Sequence, residues 1–249
     1  MKTLYQSLEA ERYAIPCKRC LPDGEIRGVV LGVHGFASSK DSATQKAVAA
    51  AGVRQNLAML CFDFPAHGES PVGEASFTVE NCKQDLLAAA EYCREQYPQF
   101  PKYLFASSFG GYMSLLCKDR LPEFRMALRA PAVTMGEHVL LDLLETTEDA
   151  FRQRGTIPFG SGRPLNVPFR FYRELQNLAV ADQTYDQPIL VLHGDKDEVV
   201  PYDDVVRFCS MHPAMQLRTL HGAGHEFAKD EMDAAMRDAI RFWTGGKGA

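Results

Sequence analysis

No stretch of this sequence approaches the ~18 consecutive apolar residues of a membrane-spanning helix. The first residues, Met1-Lys2-Thr3-Leu4-Tyr5-Gln6-Ser7-Leu8-Glu9, hold no apolar core of a secretory signal. A cytoplasmic location and no membrane partner are therefore expected. Basic residues are not in excess: 27 Lys and Arg against 32 Asp and Glu give a net charge of −5. Without a basic stripe, no nucleic-acid partner is expected. No repeat, low-complexity segment or charge block interrupts the chain. The seven cysteines are an odd set, and only Cys17-x-x-Cys20 is a suggestive pair. With no second pair and no nearby histidine, that pair reads as structural thiols, so no metal and no cofactor are expected.

What is present suits one α/β domain. The 249 residues are 46% hydrophobic and 24% charged, ordinary for a globular chain, and a chain of this size can bury roughly 75% of its unfolded surface. Apolar strands alternate with helical patterns, which argues for a mainly parallel sheet covered on both faces. Residues 11–19 and 26–33 flank the Pro22-Asp23-Gly24-Glu25 turn and read as an antiparallel pair. Further strands are expected over 57–63, 102–106, 125–129, 188–193 and 215–220. Helices are expected over 43–55, 78–97 with Thr78 as N-cap, 110–120 and 230–243, with a frayed tail at 245–249. The segment 131–186 breaks this rhythm. It reads as a helix over 138–153, then a hairpin centred on Gly160-Ser161-Gly162, and is too long for an ordinary loop. A cap over a site is its expected role.

The chemistry concentrates in loops that follow strands. Phe105-Ala106-Ser107-Ser108-Phe109-Gly110-Gly111 lies between a strand and a helix, the context of a nucleophile elbow. Small residues two before and two after Ser108 permit the sharp turn, with Ala106 in the place usually held by glycine. Ser107 has bulky Phe109 at its +2 position, so spacing favours Ser108. A serine needs a base. His225, in the glycine-rich loop His221-Gly222-Ala223-Gly224-His225 after the last strand, is the candidate, and His221 reads as structural. The orienting acid follows the strand ending at His193. Asp195 and Asp197 both qualify. Asp197 leads because it lies beyond the turn, while Asp195 suits a turn-fixing role. For the oxyanion, the backbone N–H groups of Phe109 and of Phe36 in His34-Gly35-Phe36 are the candidates. His34 reads as a scaffold residue. His67, in Asp63-Phe64-Pro65-Ala66-His67-Gly68-Glu69-Ser70, is disfavoured as the base by element order.

Together these motifs resemble the α/β-hydrolase superfamily. The likeness runs from His34-Gly35 to Gly224-His225 and implies an α/β-hydrolase fold. Within it the chain resembles the small bacterial cinnamoyl (feruloyl) esterases. The resemblance implies a Ser108, Asp197 and His225 triad, Phe36 and Phe109 amides at the oxyanion, and an insertion lining the substrate site. It implies hydrolysis of a small hydroxycinnamoyl-type ester through an acyl-enzyme. The residues alone leave a peptidase, a thioesterase and, more remotely, a non-catalytic binding protein open. The insertion's arginines (152, 154, 163, 170, 173) and aromatics (Phe151, Phe159, Phe169, Phe171, Tyr172) carry the substrate question. A homodimer is neither signalled nor opposed by any pattern.

Overall fold

The computed structural model describes residues 1–160 and 164–245. The chain runs β1 (Lys2–Glu9), β2 (Ala14–Leu21), β3 (Gly28–Val33), α1 (Ala43–Arg54), β4 (Leu57–Phe62), α2 (Val79–Gln96), β5 (Lys102–Ser107), α3 (Phe109–Leu116) and β6 (Phe124–Arg129). It continues through α4 (Leu140–Leu143), α5 (Glu148–Arg154), β7 (Thr156–Phe159), β8 (Leu165–Pro168), α6 (Phe169–Leu175), β9 (Ile189–Gly194), α7 (Tyr202–Met211), β10 (Met215–Leu220) and α8 (Lys229–Thr244). Eight strands form one sheet in the order β1-β2-β4-β3-β5-β6-β9-β10, while β7 and β8 pair separately. From β4 to β10 every pairing is parallel; β1 and β2 are antiparallel additions at one edge.

The interior strands are apolar because both of their faces are covered. Their side chains alternate between two core layers. In β4, Ala58, Leu60 and Phe62 pack into one layer, and Leu57, Met59 and Cys61 into the other. The first layer holds α2, α3 and buried apolar side chains of the 131–186 insertion; the second holds α1 and α8. Three-residue spacing on β2 sends Cys17 into the first layer and Cys20 into the second, so these thiols cannot grip one ion together.

Helix starts follow local chemistry. The Ser42 and Thr78 side chains accept hydrogen bonds from the Gln45 and Asn81 N–H groups, capping α1 and α2.

Two expectations need correction. The strands around Pro22-Asp23-Gly24 do not pair with each other. β2 pairs with β1 and β4, and β4 lies between β2 and β3. A turn signal shows that the chain bends there, but β3, buried at all six residues, takes two parallel neighbours instead. The true hairpin partner is β1, which mostly exposed, mixed side chains concealed. The helix over 138–153 is broken: a π turn at Met135–Val139 leads into α4, Glu145 adopts a left-handed φ of 48°, and Thr147 caps a new helix, α5. Short helices α6 and α7 were also not read from the sequence. The β7–β8 hairpin is present, while the turn residues 161–163 and the tail beyond 245 lie outside the described residues.

Candidate active site

Ser108 sits between β5 and α3 with φ 50° and ψ −116°, a strained conformation for a residue with a Cβ. The surroundings fix it. Its N–H donates to the Arg129 carbonyl (2.9 Å), and its carbonyl accepts from Tyr112 (3.1 Å) and Ala132 (3.2 Å). The glycines are needed for close approach: a Cβ on Gly110 would lie 2.4 Å from the His34 carbonyl oxygen, and one on Gly111 2.9 Å from the Pro131 Cβ. Ala106, inside β5 between Val33 and Leu128, is fully buried. The Ser108 hydroxyl does not cap its own helix and lines a cavity of about 310 Å³ with His225. Ser107 also lines this cavity, but its hydroxyl accepts a hydrogen bond from Arg129 Nε at 3.3 Å.

Asp197 and His225 come from separate loops. The His225 Nδ1 lies 3.0 and 2.9 Å from the two Asp197 carboxylate oxygens. Asp197 Oδ1 also accepts from the Val199 (2.9 Å) and Val200 (2.8 Å) N–H groups, and His193 Nε2 lies 3.3 Å from Oδ2. Burial alone would raise the Asp197 pKa, but the bonds from His225 and the two backbone N–H groups hold it below its ordinary value. Since an ionised carboxylate only accepts, Nδ1 carries the proton, which leaves Nε2 as the basic nitrogen of a neutral imidazole. The Glu198 carboxylate accepts the His225 N–H at 3.1 Å.

Asp195 faces elsewhere. It accepts from the Gly222 N–H (2.7 Å) and holds exposed His221 Nδ1 (2.9 Å), tying the turn after β9 to the histidine loop.

The loop after β3 meets the elbow closely: a Cβ on Gly35 would lie 3.4 Å from that of Ser108. Among the described residues, neither the Phe36 nor the Phe109 N–H is taken by a protein acceptor. His34 Nε2 accepts from the Phe64 N–H (3.0 Å), so Nδ1 donates to the Gly35 carbonyl (2.7 Å). Burial pushes the His34 imidazole down to about 4, which keeps it neutral. Lys40 pins the other end of the loop: its backbone N–H and its Nζ reach the two Asp63 oxygens at 2.7 and 2.8 Å, and Nζ reaches Glu69 at 2.6 Å. Burial opposes the Lys40 charge, yet these bonds carry its pKa above the ordinary value. His67, pushed down by burial to about 3, lies among Phe36, His34 and Phe77 with Nδ1 on the Pro65 carbonyl.

The insertion supplies Leu143 and Phe159 to the cavity, and the Phe159 ring lies 5.6 Å from that of Phe36. Phe151 and Phe171 are instead core residues. Arg170 donates to the Glu74 and Ala75 carbonyls, and Arg152 pairs with Glu148 and Asp149. Arg129 and Glu198, which also line the cavity, went unread in the sequence. An arginine directly after the apolar run Met126-Ala127-Leu128, at the end of a buried strand, was the available signal.

The parallel sheet, the turn at Ser108 and the loops at the strand ends define an α/β-hydrolase. Residues 24–156, just over half the chain, match the family described as serine aminopeptidase, S33, and the chain belongs to this family of serine hydrolases. Mouse mitochondrial palmitoyl-protein thioesterase ABHD10 is 25% identical over 189 residues. The match covers 72% of this chain and spans 61% of that relative's length. Est1E from Butyrivibrio proteoclasticus, with bound ferulic acid, has the same fold at a TM-score of 0.82 and 22% identity, over 95% of this chain and 98% of that one. Mouse α/β-hydrolase domain-containing protein 10 follows with a TM-score of 0.78 and 19% identity, over 97% and 99%. Among the described residues no helix is long and apolar enough to cross a membrane.

Proposed function

We propose that the chain is a serine carboxylic-ester hydrolase that works through an acyl-enzyme. The meeting of Ser108 and the Asp197–His225 pair on one cavity carries this reading. His225 Nε2 takes the Ser108 proton as the hydroxyl oxygen attacks the ester carbonyl. The tetrahedral oxyanion is received by the Phe36 and Phe109 N–H groups. Asp197 holds the tautomer and offsets the charge of the imidazolium. The imidazolium then protonates the departing alkoxide, and a water repeats the sequence to free the acid. The insertion acts as a fixed cap, and the acyl group is a small aromatic one, of hydroxycinnamoyl type, beside Phe36 and Phe159. Support for that choice is the ring pair itself together with the likeness to Est1E, whose structure holds ferulic acid.

A thioesterase is the second reading, favoured by the ABHD10 likeness. Turnover of methyl ferulate, p-nitrophenyl butyrate, an acyl-thioester of similar size and an aminoacyl anilide separates the options. Methyl ferulate is expected to lead. A larger kcat/KM for the thioester would transfer the assignment to a thioesterase. Ser108→Ala is expected to abolish turnover and fluorophosphonate labelling with the fold intact. Turnover surviving in that variant would remove Ser108 from the mechanism.

A further inference from the structure

Arg129 ends β6 in register with Ser107 on one side and Leu192 on the other. Only 3% of the residue is exposed, and burial works against its charge. Among the described residues no carboxylate lies within ion-pair distance of it. Glu226 and Asp197 act on it only through space. A buried cation without an ion pair costs several kcal/mol where an apolar side chain could have stood, so its placement calls for a use.

The contacts indicate one. The guanidinium Nε donates to the Ser107 hydroxyl oxygen, Nη1 donates to the backbone carbonyl of His225, and the Phe227 ring lies 5.2 Å away. The Arg129 carbonyl accepts the Ser108 N–H. One residue therefore touches the residue before the candidate nucleophile, the nucleophile's own N–H and the carbonyl of the candidate base. The histidine loop needs such a hold, because Gly222 and Gly224 give it a soft backbone. Glu198 takes the His225 N–H, Asp197 takes its ring Nδ1, and Arg129 takes its carbonyl. With all three in place, the imidazole is fixed in position and in rotation.

We propose that Arg129 is a positioning residue: its forked guanidinium locks the His225 loop onto the Ser107–Ser108 elbow so that base and nucleophile stay aligned through acyl transfer. This rests on the Ser108–His225 assignment above. A lysine cannot replace it, since one ammonium on a flexible stem does not present two fixed donors.

The test compares wild type, Arg129→Lys and Arg129→Ala by kcat, KM, thermal midpoint and fluorophosphonate labelling rate. Misalignment lowers kcat by ~10–100-fold in both variants with KM little changed. Because truncation to alanine opens space beside the cavity, millimolar guanidinium is expected to restore part of the Arg129→Ala kcat, and sodium chloride at equal ionic strength to restore none. If Arg129→Ala does not fold, Ser107→Ala, which removes only the Nε acceptor, is expected to lower kcat several-fold at an unchanged thermal midpoint. Wild-type kcat in the folded variants overturns the proposal. So does a loss that tracks only the unfolded fraction and does not respond to guanidinium. Both leave wild-type labelling, and with it the Ser108 reading, intact. A wild type that is not labelled overturns the Ser108 reading itself, and this proposal with it.

Discussion

Asp195 and Asp197 are two residues apart on one turn, yet their carboxylates serve different partners. Asp197 accepts from His225 and two backbone N–H groups out of contact with solvent, whereas Asp195 braces an exposed histidine and Gly222. Asp197→Asn exchanges an anion for an amide that no longer stabilises the imidazolium. Its kcat is expected to fall by about 10⁴-fold, while Asp195→Asn stays within about one order of magnitude of wild type. Kinetics on p-nitrophenyl butyrate check both, and the reverse ranking would assign the orienting role to Asp195. At this scale the sequence was informative. Gly110 and the strand–turn–helix context marked Ser108, because backbone approach at the turn tolerates so few residue types. Arg129 and Glu198 were not legible, because each reaches the site through partners distant in the chain: His225 is 96 residues from Arg129 and 27 from Glu198.

Between elements, the loop after β3 and the loop after β4 are joined through a buried ion pair. Lys40 and Asp63 expose 2% and 0% of their side chains. Lys40→Met leaves the Asp63 carboxylate buried without its cation and is expected to cost about 3–5 kcal/mol. Adding Asp63→Asn removes the unpaired charge, so the double variant is expected to be more stable than Lys40→Met alone. Urea unfolding of the three proteins measures this, and a Lys40→Met midpoint equal to wild type would contradict it. The mistaken hairpin shows why element partners were harder to read than elements. Apolar runs marked most of the sheet strands, but pairing depends on which edges remain open once β3 takes two parallel neighbours. The break between α4 and α5 did leave a mark: Glu145-Thr146-Thr147-Glu148-Asp149 holds no apolar residue, and Thr147 followed by two acids is a helix-start signal that a single helix over 138–153 passes over.

Across the whole molecule, buried histidines tie stability to pH. His34 and His67 are pushed down to about 4 and about 3 in the folded chain and regain about 6.5 when unfolded. Below about pH 6.5 the unfolded chain therefore binds more protons, so this stability is lost as pH falls toward 4 and 3. The pair contributes on the order of a few kcal/mol. Asp85, pushed up to about 7 by burial, acts in the opposite sense: its proton is held more tightly in the folded state, so its contribution falls as pH rises through that window. Urea unfolding between about pH 7 and 4.5 is expected to show a shallower acid loss for His67→Phe and a steeper one for Asp85→Asn. Parallel slopes for all three proteins would count against this account.

The sequence by itself determined the class of fold and the chain order of the interior strands, and it marked Ser108, Asp197 and His225 as candidates. Those features depend on local pattern: apolar period, small residues at a tight turn, and loops directly after strands. Only the tertiary structure decided that β4 separates β2 from β3. It likewise decided that most of the insertion's aromatics serve the core, leaving Phe159 on the cavity, and that Arg129 reaches from β6 to the carbonyl of His225. Those features depend on which surfaces remain to be covered and which charges remain to be satisfied once the chain is packed.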